Sequence, residues 1–174
     1  AAALQTGIEA CRLRREGSPY PQPCGGVAFW QFNEPWPAVT WSVIERSRKP
    51  KLAYEMLKSS YAPLLVAALF VRKNYQPGDL FEAEIWLVND APNAQKVDRV
   101  VIELDLVGGI EKPDRVGNPV RFESRETFEI GAASAIQIDS FAIRLDAQPM
   151  TLRLICQAGG NMVARNSYDL TVPL

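Results

Sequence analysis

Phe81-Glu-Ala-Glu-Ile-Trp-Leu87 decides how most of this chain folds. Phe81, Ala83, Ile85 and Leu87 alternate with Glu82, Glu84 and Trp86, which predicts a strand with one buried face. Turn-formers bound it on both sides, Gln76-Pro-Gly-Asp79 before and Asn89-Asp-Ala-Pro-Asn93 after. The same rhythm recurs on either side. Residues 64–71 read as a preceding strand. Residues 97–107 set Val100, Ile102, Leu104 and Leu106 against Val101, Glu103 and Asp105. A turn-rich link covers 108–119, and further strands are expected near 122–130, 135–145, 150–158 and 162–172. Gly159-Gly160-Asn161 is a hairpin signal between the last two. About seven strands separated by turns are the signature of an antiparallel immunoglobulin-like sandwich. No Cys…Trp…Cys pattern is present, so an antibody-type domain is excluded.

Upstream of Pro63 the pattern changes, and the chain divides into residues 1–62 and a sandwich over 63–174. Leu4, Ile8 and Cys11 recur at helical spacing over 1–16, with Arg12, Arg14 and Arg15 suited to a helix C-terminus. A Gly/Pro-rich loop over 17–26 ends that helix. Val27-Ala-Phe-Trp-Gln-Phe32 is short, apolar and aromatic, which predicts a buried strand. Asn33-Glu-Pro-Trp-Pro37 stops it. Pro50 opens a second helix, with Leu52, Met56 and Leu57 on one face and Ala53, Tyr54 and Tyr61 beside it. Helix, buried strand, aromatic loop and helix together are the connectivity of an α/β barrel or a doubly wound sheet. A complete (β/α)8 barrel needs roughly 250 residues. One strand cannot satisfy its own edges, so residues 1–62 are expected to be the last part of such a barrel in a larger enzyme. The expected fold is therefore mainly β, an α-β-α barrel remnant followed by a sandwich.

Composition narrows the chemistry. In 174 residues, 19 basic and 20 acidic side chains give a net charge of −1. That balance lacks the electrostatic footprint of a nucleic-acid binder. No apolar run reaches the roughly 18 residues of a membrane span. There is no histidine, which excludes Ser-His-Asp and Cys-His triads and histidine metal sites. Cys11, Cys24 and Cys156 are too few for a disulfide framework, and an odd count leaves at least one free thiol. Asn89–Asn93 and Asp98 fit no calcium loop, and no phosphate loop or redox motif appears. No metal and no cofactor are expected.

Gly26-Val-Ala-Phe-Trp-Gln-Phe-Asn-Glu-Pro-Trp-Pro-Ala38, Trp41-Ser-Val-Ile44, Lys49-Pro-Lys51, Tyr54 and Tyr61-Ala-Pro-Leu-Leu-Val66 carry a resemblance. Over about the first 66 residues the chain resembles the last barrel strand and helix of family-2 glycoside hydrolases, in the β-mannosidase and exo-β-glucosaminidase branch, where this stretch runs into an immunoglobulin-like domain. Glu34 departs from that branch, where Asp is common. The resemblance implies a retaining exo-glycosidase acting on a terminal β-linked sugar by double displacement. Such enzymes use two carboxyl groups about 5–5.5 Å apart. In this family those groups follow barrel strands four and seven, so both are expected upstream of Ala1, and the chain alone is expected to be inactive.

Three residues are the substrate-side candidates. The family comparison sets Trp30 at the terminal-sugar subsite, where an indole can stack on a sugar face. If Trp30 faces the barrel lumen, Gln31 faces the helices. Asn33 and Trp36 follow in the loop as pocket-rim residues. Glu34, in Asn33-Glu34-Pro35, resembles the acid/base motif of related barrel glycosidases. Catalysis there needs a second converging carboxylate, and Glu9, Glu16 and Glu45 have no strand-end context. The same residues admit a structural role for Glu34 at the strand end. Trp41 is expected to pack between barrel and sandwich, and Trp86 under a loop. The partners implied are a carbohydrate, reached through the whole enzyme, and the rest of its barrel. The alternative is a stand-alone sandwich that binds or interacts without catalysis. Order in residues 1–62 separates the two: without partners in the first case, a compact cap on the sandwich in the second.

Overall fold

The computed structural model describes residues 2–15, 22–109, 112–116 and 119–170. Glu16, the 17–21 part of the Pro-rich loop, parts of the 108–119 link and the chain beyond Leu170 lie outside the described residues. Two helices come first, α1 (Ala2–Arg12) and α2 (Leu52–Ser60). Ten strands follow among the described residues: β1 (Leu64–Leu69), β2 (Leu80–Asn89), β3 (Gln95–Val97), β4 (Arg99–Gly109), β5 (Lys112–Val116), β6 (Val120–Ser124), β7 (Phe128–Ile130), β8 (Ser134–Arg144), β9 (Ala147–Ala158) and β10 (Asn161–Asp169). The chain is mainly β, as the alternation predicts.

One antiparallel sheet has the order β1-β2-β8; a second runs β10-β9-β4-β5, with β6 also pairing β4. A small β3-β7 ladder stands apart. The alternation of β2 explains the layering. Phe81, Ala83, Ile85 and Leu87 join Val100, Ile102, Leu104, Leu152, Leu154 and Cys156 in one core. On the opposite face, Trp86 and Val88 pack with Leu65, Ala67, Ala135 and Leu13, which follows α1. Trp86 is thus buried beneath the end of the helical segment, and its indole N–H donates to Glu84 at 3.1 Å. A register shift opposite Ile85 and Trp86 lets β8 turn both Ile138 and Phe141 toward the main core. Gly159 and Gly160, both at positive φ, make the last hairpin. The strands differ from the predictions in three places: Asp98 separates β3 from β4, residues 122–130 divide into β6 and β7, and β5 arises within the turn-rich link.

Both helices differ in detail from the periodicity. α1 ends at Arg12, and α2 begins at Leu52 after an extended Lys51, with Pro50 paired to Ile44 instead of opening the helix. Leu57 is the buried apolar residue of α2 and Leu52 is exposed, because Ala53, Tyr54 and Leu57 turn together toward α1.

A buried polar cluster fastens α1 to the sandwich. Glu9 Oε2 accepts from the Tyr168 hydroxyl at 2.9 Å. Glu9 Oε1 accepts from Asn166 at 2.7 Å and from Ser60 at 3.5 Å. Gln5 donates to Asn166 Oδ1 at 2.9 Å and to the Ser167 carbonyl at 3.0 Å. The Tyr168 oxygen also accepts the Ala68 amide at 2.8 Å. One turn along, Arg12 donates to Asp90 at 2.9 Å and to the carbonyls of Ser60 and Pro63. Burial pushes the Glu9 carboxyl above its ordinary value; its hydrogen bonds to Asn166, Tyr168 and Gln5, and then the Arg72 cation, oppose that shift only in part.

Two measurements probe this cluster. Tyr168→Phe leaves the Ala68 amide and one Glu9 oxygen short of partners, which should cost about 2 kcal/mol in urea unfolding without changing the m-value. Because the folded state holds the Glu9 proton longer than the unfolded state, stability should fall as pH rises from the ordinary glutamate value through the raised one. Glu9→Gln should remove that slope, read as the difference between the two stability–pH curves.

Candidate functional site

Residues 27–32 form no strand, which corrects the α-β-α expectation: the middle element is an irregular extended segment. A parallel barrel strand takes its ladder bonds from neighbours on both sides. Here the pairing is confined to a short knot. The Phe32 carbonyl accepts from the amides of Val43 and Ile44 at 3.1 and 2.9 Å, and the Glu34 amide donates to Ile44 at 3.0 Å. Asn33 bridges Ile44 in parallel and Ile44 bridges Pro50 antiparallel.

The strand-like alternation nonetheless survives. Val27, Phe29 and Gln31 are half-buried, whereas Ala28, Trp30 and Phe32 are exposed. Val27 and Phe29 pack on a small core of Ile8, Val43 and Leu57 between the two helices. The Tyr61 hydroxyl donates to the Val27 carbonyl at 3.0 Å, and the Phe29 and Tyr61 rings lie 6.1 Å apart. Trp30 is therefore on the face opposite the helices and is 79% exposed. The Trp30–Gln31 peptide is cis.

Trp36 is 72% exposed and Trp41 is 75% exposed. Trp41, expected to pack between barrel and sandwich, is left uncovered by the described residues of the sandwich. Asn33 is exposed too. Together, Trp30, Phe32, Trp36, Val39 and Trp41 give one short stretch of chain five large exposed apolar side chains, more than a solvent-facing loop ordinarily carries.

Glu34 is the buried exception, only 6% exposed. Its Oε2 accepts from Lys51 Nζ at 3.4 Å, and the same ammonium donates to the Thr40 carbonyl and the Ser42 hydroxyl, each at 3.1 Å. Glu34 Oε1 is buried without a hydrogen-bond partner among the described residues. An open depression of about 800 Å³ is lined by Glu34, Trp36, Glu45, Arg46, Ser47 and Lys51. Glu45 holds the Ser47 hydroxyl at 3.1 Å on its own carboxylate. Lys51 escaped the sequence reading as the partner of Glu34, and Thr40 and Ser42 as the other acceptors of its ammonium. The only signal was a lysine after Pro50, which carries no information about where its ammonium folds back.

The arrangement offers aromatic faces on one side of an extended segment and a carboxylate tied to a lysine beside them. An extended aromatic segment thus precedes an antiparallel sandwich.

The chain is 28% identical over 153 residues to β-mannosidase B of Aspergillus niger, matching 82% of this chain and 17% of that protein. It is 31% identical over 97 residues to β-mannosidase B of Thermothelomyces thermophilus, matching 51% of this chain and 11% of the relative. Among solved structures, β-D-mannosidase from Dictyoglomus thermophilum aligns with a TM-score of 0.59 at 22% identity, over 97% of this chain and 18% of that one. The exo-chitosanase of Amycolatopsis orientalis aligns at 0.62 and 17% identity, over 95% and 18%. No family profile matches the chain. The chain is similar to the C-terminal part of family-2 glycoside hydrolases of the β-mannosidase and exo-β-glucosaminidase branch, and it spans 17% of the length of the Aspergillus niger relative.

Lys51→Met should leave Glu34 buried with no cation and strand the Thr40 carbonyl and Ser42 hydroxyl. A loss of about 1–3 kcal/mol is expected, with earlier proteolytic cutting across 34–51 while cutting within the sandwich is unchanged. Equal protection of that segment in variant and parent would show that the lysine does not hold it.

Proposed function

We propose that this chain is the C-terminal segment of a retaining, exo-acting, β-mannosidase-like glycoside hydrolase. In this reading residues 1–62 close the end of its barrel and residues 63–174 form an accessory sandwich. Trp30 stacks on the terminal sugar, and Asn33 and Trp36 stand at the rim. The catalytic carboxylates come from elsewhere in the enzyme, so the isolated chain is inert.

The observation that supports this is the alternation over 27–32. It turns Phe29 to the helices and Trp30 outward, as a last barrel strand would place a side chain toward the substrate. Glu34 fits a fastening role better than acid/base work, since its one bonded oxygen is held by Lys51. The missing barrel is the natural partner for Trp30, Phe32, Trp36 and Trp41.

A second reading, a stand-alone binding module, draws on the docking of α1 onto β10 through Glu9 and Gln5, which is the compact cap that reading requires. The cap is partial, because residues 28–41 leave their aromatics uncovered.

The purified chain should release no chromophore from aryl β-mannosides or β-glucosides. Turnover that disappears in Glu34→Gln would replace the proposal with an independent glycosidase. In the full-length enzyme, Trp30→Ala should lower kcat/KM by about tenfold or more, with KM raised and kcat reduced, while the melting temperature is retained. Unchanged kinetics would remove Trp30 from the sugar site.

A further inference from the structure

Cys11 and Cys24 lie apart in sequence yet share one pocket of about 180 Å³, lined also by Arg12, Arg15, Tyr61 and Asp90. Both side chains line that pocket, and the Cys24 sulfur acts on the Cys11 thiol, raising it. Cys24 is tied back to the end of α1, since its amide donates to the Arg14 carbonyl at 2.7 Å and its Sγ lies 3.1 Å from the Gly26 carbonyl. Both residues are half-buried and both are free. The third thiol, Cys156, is sealed in the sandwich core and pushed up to about 12 by burial.

We propose that Cys11 and Cys24 are a redox-active dithiol that closes to an intramolecular disulfide by exchange with a low-molecular-weight disulfide such as oxidised glutathione. The Cys24 thiolate attacks one sulfur of the small disulfide, forming a mixed disulfide and expelling one thiolate. The Cys11 thiolate then attacks Cys24 Sγ, the Cys11–Cys24 bond forms, and the second small thiolate leaves. Two protein thiols are oxidised, one small disulfide is reduced to two thiols, and two protons pass to solvent or to the leaving thiolates.

The order of attack follows from the surroundings. The Cys11 thiol is raised first by its own burial and then by the neighbouring sulfur, with Arg14 opposing, so Cys11 is suited to the second, intramolecular attack. The bond closes a loop from the end of α1 to the segment leading into Val27 and Trp30. It therefore fixes the entry of the aromatic segment on the helix. This depends on the two thiols alone and is independent of the glycosidase reading.

The full 174-residue chain, reduced and then equilibrated in glutathione buffers of graded ratio, tests this by intact mass and peptide mapping. The expected product is about 2 Da lighter than the reduced chain, with a peptide linking Cys11 to Cys24 and Cys156 still alkylated after unfolding. Cys11→Ser should halt at a glutathione adduct on Cys24, and Cys24→Ser should give no internal bond. A parent chain that accumulates separate adducts on Cys11 and Cys24, pairs either with Cys156, or stays fully reduced at every ratio would overturn the proposal. Circular dichroism of each serine variant, matched to the parent, separates a lost bond from a lost fold.

Discussion

The burial of one carboxylate ties the helical segment to the sandwich. Glu9 sits where α1, α2, β1 and β10 meet, and it is bonded by Asn166 and Tyr168 from β10 and by Ser60 from α2. Taking a carboxylate out of water costs several kcal/mol unless hydrogen bonds and charge replace the lost solvent. Asn166 and Tyr168 replace part of it and are themselves spent on β1, donating to the Val66 carbonyl and accepting from the Ala68 amide. A shift of α1 by one residue would strand several of these groups at once. Geometry of this kind selects a single docking more sharply than an apolar patch, which tolerates sliding.

Arg12 repeats the logic one turn later. It binds Asp90 and the carbonyls of Ser60 and Pro63, so it clamps the short connection between α2 and β1. Arg15 adds a second contact to Asp90 at 2.6 Å. Asn89, immediately before, is buried and donates to the carbonyls of Asn93, Ile130 and Gly131. The acidic and amide-rich turn after β2 thus serves as a fastening point from both sides, which accounts for residue types that superficially suggest a cation loop.

The sandwich was legible because each strand carries its own period-two record. β2 and β4 could be assigned to faces residue by residue, and Gly159-Gly160 announced its turn through the positive φ that both adopt. What the sequence withheld was long-range. A short stretch such as Val27–Asn33 has strand propensity, but a strand exists only through neighbours, and the pairing of Phe32 and Asn33 with Val43 and Ile44 supplies a single bridge. Likewise Glu9 and Asn166 lie 157 positions apart, and no local pattern marks two polar residues as mutual partners. At the candidate site, the aromatic stripe and its Asn-Glu-Pro end were readable, whereas the hold of Lys51 on Glu34 was not.

The split behaviour of residues 1–62 follows from these two kinds of interaction. α1 and α2 find polar partners within the chain and dock; the extended segment between them has its helix-facing side satisfied by Ile8, Val43 and Leu57 and its other side bare. An exposed Trp30 and Trp41 together forgo several kcal/mol of burial, at roughly 25 cal/mol per Å² of apolar surface. An evolved surface concentrates such residues where something else meets them. On the proposed reading, the outer side of this segment is where a barrel interior and its sugar would lie. The fastening of α1 therefore fits both a cap on the sandwich and a hinge between sandwich and barrel, and the bare aromatics favour the second.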